Sequence, residues 1–221
     1  MAGEPGTAGR QQPGAPILLG MRLPSDQEIR ALHEEHSPTP AALQVVYAHC
    51  EIVARVAGQL LDRGPLGLDA GLVRVGALLH DIGVYQLYGA DGRLDHAGYL
   101  RHGVLGYELL QAEGLPEELC RFCSRHTGVG LSRDDIRRQR LPLPPGDYLA
   151  ETGEEQLVMY ADKFHSKTDP PVFLTAGTYA AQVRRFGAGK EAAFAALRAR
   201  FGEPDLTPLA AAYGYGFAPA G

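Results

Sequence analysis

Basic charge is scarce in these 221 residues: 21 lysines and arginines face 26 carboxylates, and only three of the basic residues are lysines. A net charge of -5 argues against a general nucleic-acid binder, because phosphate backbones recruit basic surfaces. It leaves room for a small phosphorylated substrate, which a local group of Arg and Lys can hold. Cysteine is scarce too. Three thiols, an odd number, give no disulfide framework and point to the cytoplasm. Cys120 and Cys123 form a C-x-x-C, but the second pair that a structural zinc site needs is missing, so they read as one face of a helix. No run of about 18 apolar residues is present, and no membrane span is expected. The first residues are rich in Gly, Pro and Ala and lack a basic segment followed by an apolar one. That excludes a secretory signal, and residues 1–20 read as a disordered tail. Strand signals are few, and no internal repeat is evident.

What is present is a succession of helical signals. Ser25 and Glu28 form a capping box for a helix to about His36. Thr39-Pro40 starts a second, in which Leu43, Val46, Cys50, Val53 and Ala57 recur at helical spacing around His49. Asp69 caps a third through His80, with Gly83 suggesting its end. Tyr85 to Leu100 reads as a loop, followed by helices over Arg101 to Glu113 and Pro116 to Arg125, and a turn from His126 to Gly130. Ser132 with Asp134 and Asp135 starts a short polar helix, and Leu141 to Gly153 is a Pro/Gly-rich loop. Glu154 to Ser166 reads as helix, as do Thr175 to Phe186 and Lys190 to Phe201. The expectation is an all-α bundle forming one domain over 21–202, large enough to bury a core, with a loose C-terminal tail over 203–221.

His80-Asp81 stands out. It follows the buried-type run Gly76-Ala77-Leu78-Leu79, where a carboxylate is costly unless paired or bound to a cation. Adjacent helical residues point about 100° apart, so the two can reach around one ion or bridge two. His49, His102, His126 and Asp162 lie on other helices, each beside apolar residues or at a helix end. Taken singly, His49 is an ordinary core histidine, Asp162 an ion-pair partner of Lys163 or an Arg, and His102 and His126 helix-end residues. Taken together they have the makings of a metal site drawn from several helices. Imidazole with carboxylate suits iron, manganese, nickel or zinc, and magnesium also enters the list.

His49…His80-Asp81…Asp162 resembles the H…HD…D signature of the HD superfamily, and Ala77 to Gly83 is similar to its HDIG variant. His102-Gly103-Val104-Leu105-Gly106 and His126-Thr127-Gly128 resemble the two extra histidines of binuclear members. The likeness runs from about Ala41 to Lys167. It implies an HD-domain helical bundle and a phosphohydrolase with two divalent ions, acting on a nucleotide or another small phosphorylated metabolite through a metal-activated hydroxide. His49, His80, Asp81 and Asp162 would hold a first ion, and Asp81 would bridge to a second held by His102 and His126. Asp81, with His80, would then be catalytic, Asp81 orienting the water. Lys163, Lys167 and Arg125 are the candidate substrate cations. His96 and His165 could stand behind the ligands or meet substrate, and His33 and His36 could close over the site or lie on the surface. Mixed-valent di-iron oxygenases share the six-ligand pattern, and a non-catalytic nucleotide-binding module is a third reading. Oligomeric state stays open, a homo-oligomer included.

Overall fold

The computed structural model describes residues 22–219, so the expected tail at 1–20 lies outside the described residues. The all-α expectation holds. In chain order the helices are α1 (Asp26–His36), α2 (Pro40–Leu61), α3 (Ala70–Leu79), α4 (His102–Ala112), α5 (Glu117–Arg125), α6 (Arg133–Gln139), α7 (Gly153–Ala161), α8 (Ala176–Val183), α9 (Ala188–Phe201) and α10 (Thr207–Tyr213). Among the described residues three short strands accompany them: β1 (His165–Ser166), β2 (Val172–Phe173) and β3 (Gly216–Phe217). β1 pairs antiparallel with β2, and β2 pairs parallel with β3.

The caps are those the chain advertises. Ser25 and Glu28 exchange hydrogen bonds at the start of α1, Thr39 accepts from Ala42 N–H ahead of Pro40, and Asp69 accepts from Leu72 N–H. α2, at 22 residues roughly 33 Å long, is the spine. It packs on α3 and α7, which also touch each other, while α4 and α5 form a pair against α3 and the turn that follows it. The core between them is continuous and includes Val46, Ile52, Leu60, Leu79, Leu110 and Tyr160. Cys120 and Cys123 are both buried on α5, and Cys123 Sγ lies 3.4 Å from Leu79 O. No described helix is long and apolar enough to cross a membrane.

Four local expectations differ from what the chain does. α3 ends at Leu79, before Gly83, and the chain continues as a 3-10 turn, Ile82–Leu87. Gly83 is needed for close approach instead: a Cβ there would stand 2.2 Å from both Gly106 N and His102 O. The Tyr85 to Leu100 stretch is partly structured, with that turn, a Tyr88–Leu94 bridge and a second 3-10 turn at Tyr99–Arg101. The helix expected to reach Ser166 stops at Ala161, tightens into a 3-10 turn at Asp162–Phe164, and becomes β1. Finally, the segment from Glu203 is ordered rather than loose. It forms α10 and β3, and Leu206, Leu209 and Ala210 are buried in the core.

Candidate metal centre

Helix ends build the site. His49 lies in the middle of α2, but His80 caps the C-terminus of α3, His102 opens α4, His126 caps α5 and Asp162 caps α7. A terminal residue is released from the helical ladder, so its side chain can be aimed while its backbone stays anchored. Asp81, one residue past His80, takes a non-helical conformation (φ -109°, ψ 7°) that turns its carboxylate inward. All four imidazoles and Asp81 are buried.

Each imidazole is pinned through its outer nitrogen. His80 Nδ1 donates to Ala77 O at 2.7 Å, His102 Nδ1 to Tyr99 O at 2.6 Å, and His126 Nδ1 to Phe122 O at 3.0 Å. A carbonyl only accepts, so in the neutral ring the proton is on Nδ1 and Nε2 carries a bare lone pair. These lone pairs converge. His102 Nε2 and His126 Nε2 are 2.8 Å apart, and His80 Nε2 is 3.2 Å from His49 Nε2. Two bare ring nitrogens at such separation repel unless a proton or a metal ion stands between them.

Asp81 divides its carboxylate between the two halves. Oδ1 lies 3.4 Å from His102 Nε2 and 3.5 Å from His126 Nε2, while Oδ2 lies 3.3 Å from His49 Nε2 and 3.7 Å from His80 Nε2. Asp162 Oδ1 is 3.0 Å from His49 Nε2 and 3.6 Å from His80 Nε2. Donor atoms of His49, His80 and Asp81 lie within 4.8 Å of one another, as do those of Asp81, His102 and His126. The donors therefore suit divalent metal.

The electrostatics ask for positive charge. Burial pushes Asp81 up, but Lys167, His80 and the other imidazoles hold it well below the usual carboxylate range. Asp162 is likewise raised by burial and held low by Lys163, His49 and His80. Burial lowers His49 and His102 to about 4, so both are neutral and able to ligate. His80 is the exception, because the charge of Asp81 overrides burial and raises it well above the ordinary histidine value.

The three expected substrate cations part company. Lys167 is hydrogen-bonded to Asp81 Oδ2 and lies 6.0 Å from the centre of the Tyr99 ring. Lys163 donates to His126 O at 2.9 Å and to Asp162 Oδ2 at 2.5 Å. Both line a cavity of about 400 Å³ that opens onto Asp81, His102, His126 and Asp162. Arg125 does not line it: its guanidinium is engaged by Leu149 O and Glu151. Of the other histidines, His33 is a buried strut between Tyr85 Oη and Leu78 O, and His36 pairs with Glu113. His165 stands behind the site, its Nδ1 2.8 Å from His49 Nδ1. Sequence reasoning missed Tyr99, whose carbonyl anchors His102 and whose ring is tilted against it with centroids 4.8 Å apart. Its position three residues before His102 was the available signal. Open grooves of about 930 and 690 Å³ lie elsewhere and contain none of the His/Asp groupings found among the described residues.

This fold is that of the HD domain. That family matches residues 46–167, more than half of the chain, and the chain belongs to it. Over 120 residues it is 37% identical to an uncharacterized protein of Methanocaldococcus jannaschii, covering 53% of this chain and 64% of that protein. Over 122 residues it is 35% identical to a tRNA (cytidine(56)-2'-O)-methyltransferase of Picrophilus torridus, covering 55% of this chain and 32% of that enzyme. It thus spans less than two thirds of either relative. The HD domain of the L. monocytogenes phosphodiesterase PgpH superposes with a TM-score of 0.50 and 16% identity, over 85% of this chain and 100% of that one. The likeness to PgpH is one of fold.

Proposed function

We propose that this chain is a metal-dependent phosphohydrolase that cleaves a phosphoester of a nucleotide or small phosphorylated metabolite. The observation that carries the reading is Asp81, which presents one oxygen to each of two histidine pairs. HD-family membership supports it, and the phosphodiesterase PgpH has the same fold. Similarity over 32% of a methyltransferase does not bring methyl transfer with it.

Two divalent ions, when bound, lower the pKa of a water and neutralise phosphate oxygens. The chain supplies the rest. His49, His80 and Asp162 would hold an ion on one side of Asp81, and His102 and His126 one on the other. Asp81, backed by His80, orients the attacking water. Lys167 sits at the cavity wall, where its ammonium can turn from Asp81 to a phosphate oxygen. Lys163 holds Asp162 and His126 in place, and one of its three N–H groups remains for substrate.

The test is metal analysis together with phosphate release from nucleotides, dinucleotides and simple esters, in iron, manganese and nickel. Asp81→Asn is expected to cut hydrolysis at least about 100-fold and to reduce bound metal, with the far-ultraviolet helix signal unchanged. Full activity in that variant would reject the assigned site. Oxygen uptake by the iron-loaded protein, with no ester hydrolysed, would replace the hydrolase by an oxygenase on the same ligands.

A further inference from the structure

A second recess adjoins the cavity of the metal centre. It measures about 300 Å³ and shares two walls with that cavity, Tyr99 and Lys167. Its apolar lining is Val45, Val46, Val84 and Leu94, with the rings of Tyr88 and Tyr99. His96, Ser166 and Thr168 stand among the lining residues as its polar members.

Val45, Val46, Val84 and Tyr99 are tied to candidate ligands by short chain spacing. Val45 and Val46 precede His49 by four and three residues on α2, so they lie one turn along the same face. Val84 follows Asp81 by three residues, and Tyr99 precedes His102 by three. A group bonded to a phosphate held at the metal centre therefore meets this recess next.

We infer that the recess receives the organic part of the phosphoester, and that this part carries a planar ring. The inference rests on the phosphohydrolase reading and specifies its substrate. The composition of the wall argues for the ring. It contains no Asp, Glu, Asn or Gln, the side chains that accept or bidentately bind the hydroxyls of a sugar or polyol. Its one lysine, Lys167, is shared with the cavity of the metal centre and is already assigned to the phosphate there, so a second anionic group finds no partner. Two tyrosine rings and four aliphatic side chains suit a flat apolar surface. Val45 supports the same conclusion, because it is a large aliphatic side chain in the lining of the recess that is left 41% exposed.

The experiment compares phenylphosphonate with methylphosphonate, which bind without turnover, on the manganese-loaded full chain by calorimetry. Wild type is expected to bind the phenyl compound at least about 10-fold more tightly. Val45→Phe places a ring in the recess from an exposed helical position. It is expected to abolish most of that preference while leaving methylphosphonate affinity within about 2-fold. Adenosine monophosphate forms a third arm: a preference lost in the same variant means that a base carried on a sugar also reaches the recess. Equal affinity for the two phosphonates in wild type, or an equal loss of both in Val45→Phe, overturns the inference. These outcomes are independent of ester hydrolysis, so a protein that shows ring preference but cleaves no ester fails the hydrolase reading alone.

Discussion

Three of the four candidate ligand imidazoles rest on backbone carbonyls, which can only accept, and His49 alone rests on another histidine. That difference has a chemical cost. Ligation through His49 Nε2 requires the proton on His49 Nδ1, which then donates to His165 Nδ1. The neutral His165 must carry its own proton on Nε2, and among the described residues that nitrogen is buried without a partner. A buried unpaired donor costs about 1–3 kcal/mol. The contact is therefore expected to be retained for orienting His49, and removing it should be felt in metal affinity more than in folding. His165→Phe is expected to weaken manganese binding about 10–100-fold in a chelator competition. The melting temperature of the metal-free variant should change little, since losing the orphaned N–H offsets leaving His49 Nδ1 unpaired. His165→Asn, whose Oδ1 can accept in place of Nδ1, should recover most of the affinity. Unchanged metal affinity in His165→Phe would show that His49 needs no such support.

At the scale of elements, the site depends on how closely α4 approaches the turn after α3. Gly83 and Gly106 meet backbone to backbone, and Gly103 sits where a Cβ would fall 2.7 Å from Cys123 O. The glycines around the histidine motifs thus set the distance at which His102 hangs beside Asp81. Gly83→Ala drives a methyl into His102 O and Gly106 N, neither of which can rotate away. Overpacking of this kind costs about 1–3 kcal/mol, or roughly 2–12 °C in a chain of this size. The expected result is a drop within that range in the metal-free melting temperature, with weaker binding of the second metal equivalent because His102 is displaced. A variant that melts with wild type would mean that α4 can slide. The same elements mark the limit of sequence reading. Capping residues and apolar period located α1 to α6, because each signal is local. The end of α7 was missed because Val158, Met159, Ala161 and Phe164 continue a helical period past the point where the chain leaves the helix. A strand of two residues such as β1 has no period to read.

At the scale of the whole molecule, the clustering of His49, His80, Asp81, His102, His126 and Asp162 was legible because such residue types are costly in a buried core unless they serve together. The outer boundary was not, because Gly, Pro and Ala after Glu203 look like a tail until their contacts are known. Those contacts are with the core: Leu206, Leu209 and Ala210 are buried, and Tyr215 stacks on His165 with ring centroids 5.6 Å apart. β3 meanwhile pairs with β2, which pairs with β1 and so with the strand that carries His165. The C-terminal segment therefore covers the back of the metal centre, although it contributes no ligand. A chain ending at Gly202 retains all six donors but loses two buried leucines, worth about 3–6 kcal/mol, out of a total that for most domains is only about 5–15 kcal/mol. Its denaturant midpoint should fall sharply in chelator, and added manganese should restore only part of the loss, because His165 would now face water. Tyr215→Ala in the full chain separates the two effects: it leaves the leucines in place and should lower metal affinity with a smaller change in midpoint. If the shortened chain unfolded at the wild-type midpoint, the segment would be the loose tail its composition suggests, and the metal centre would need no cover behind β1.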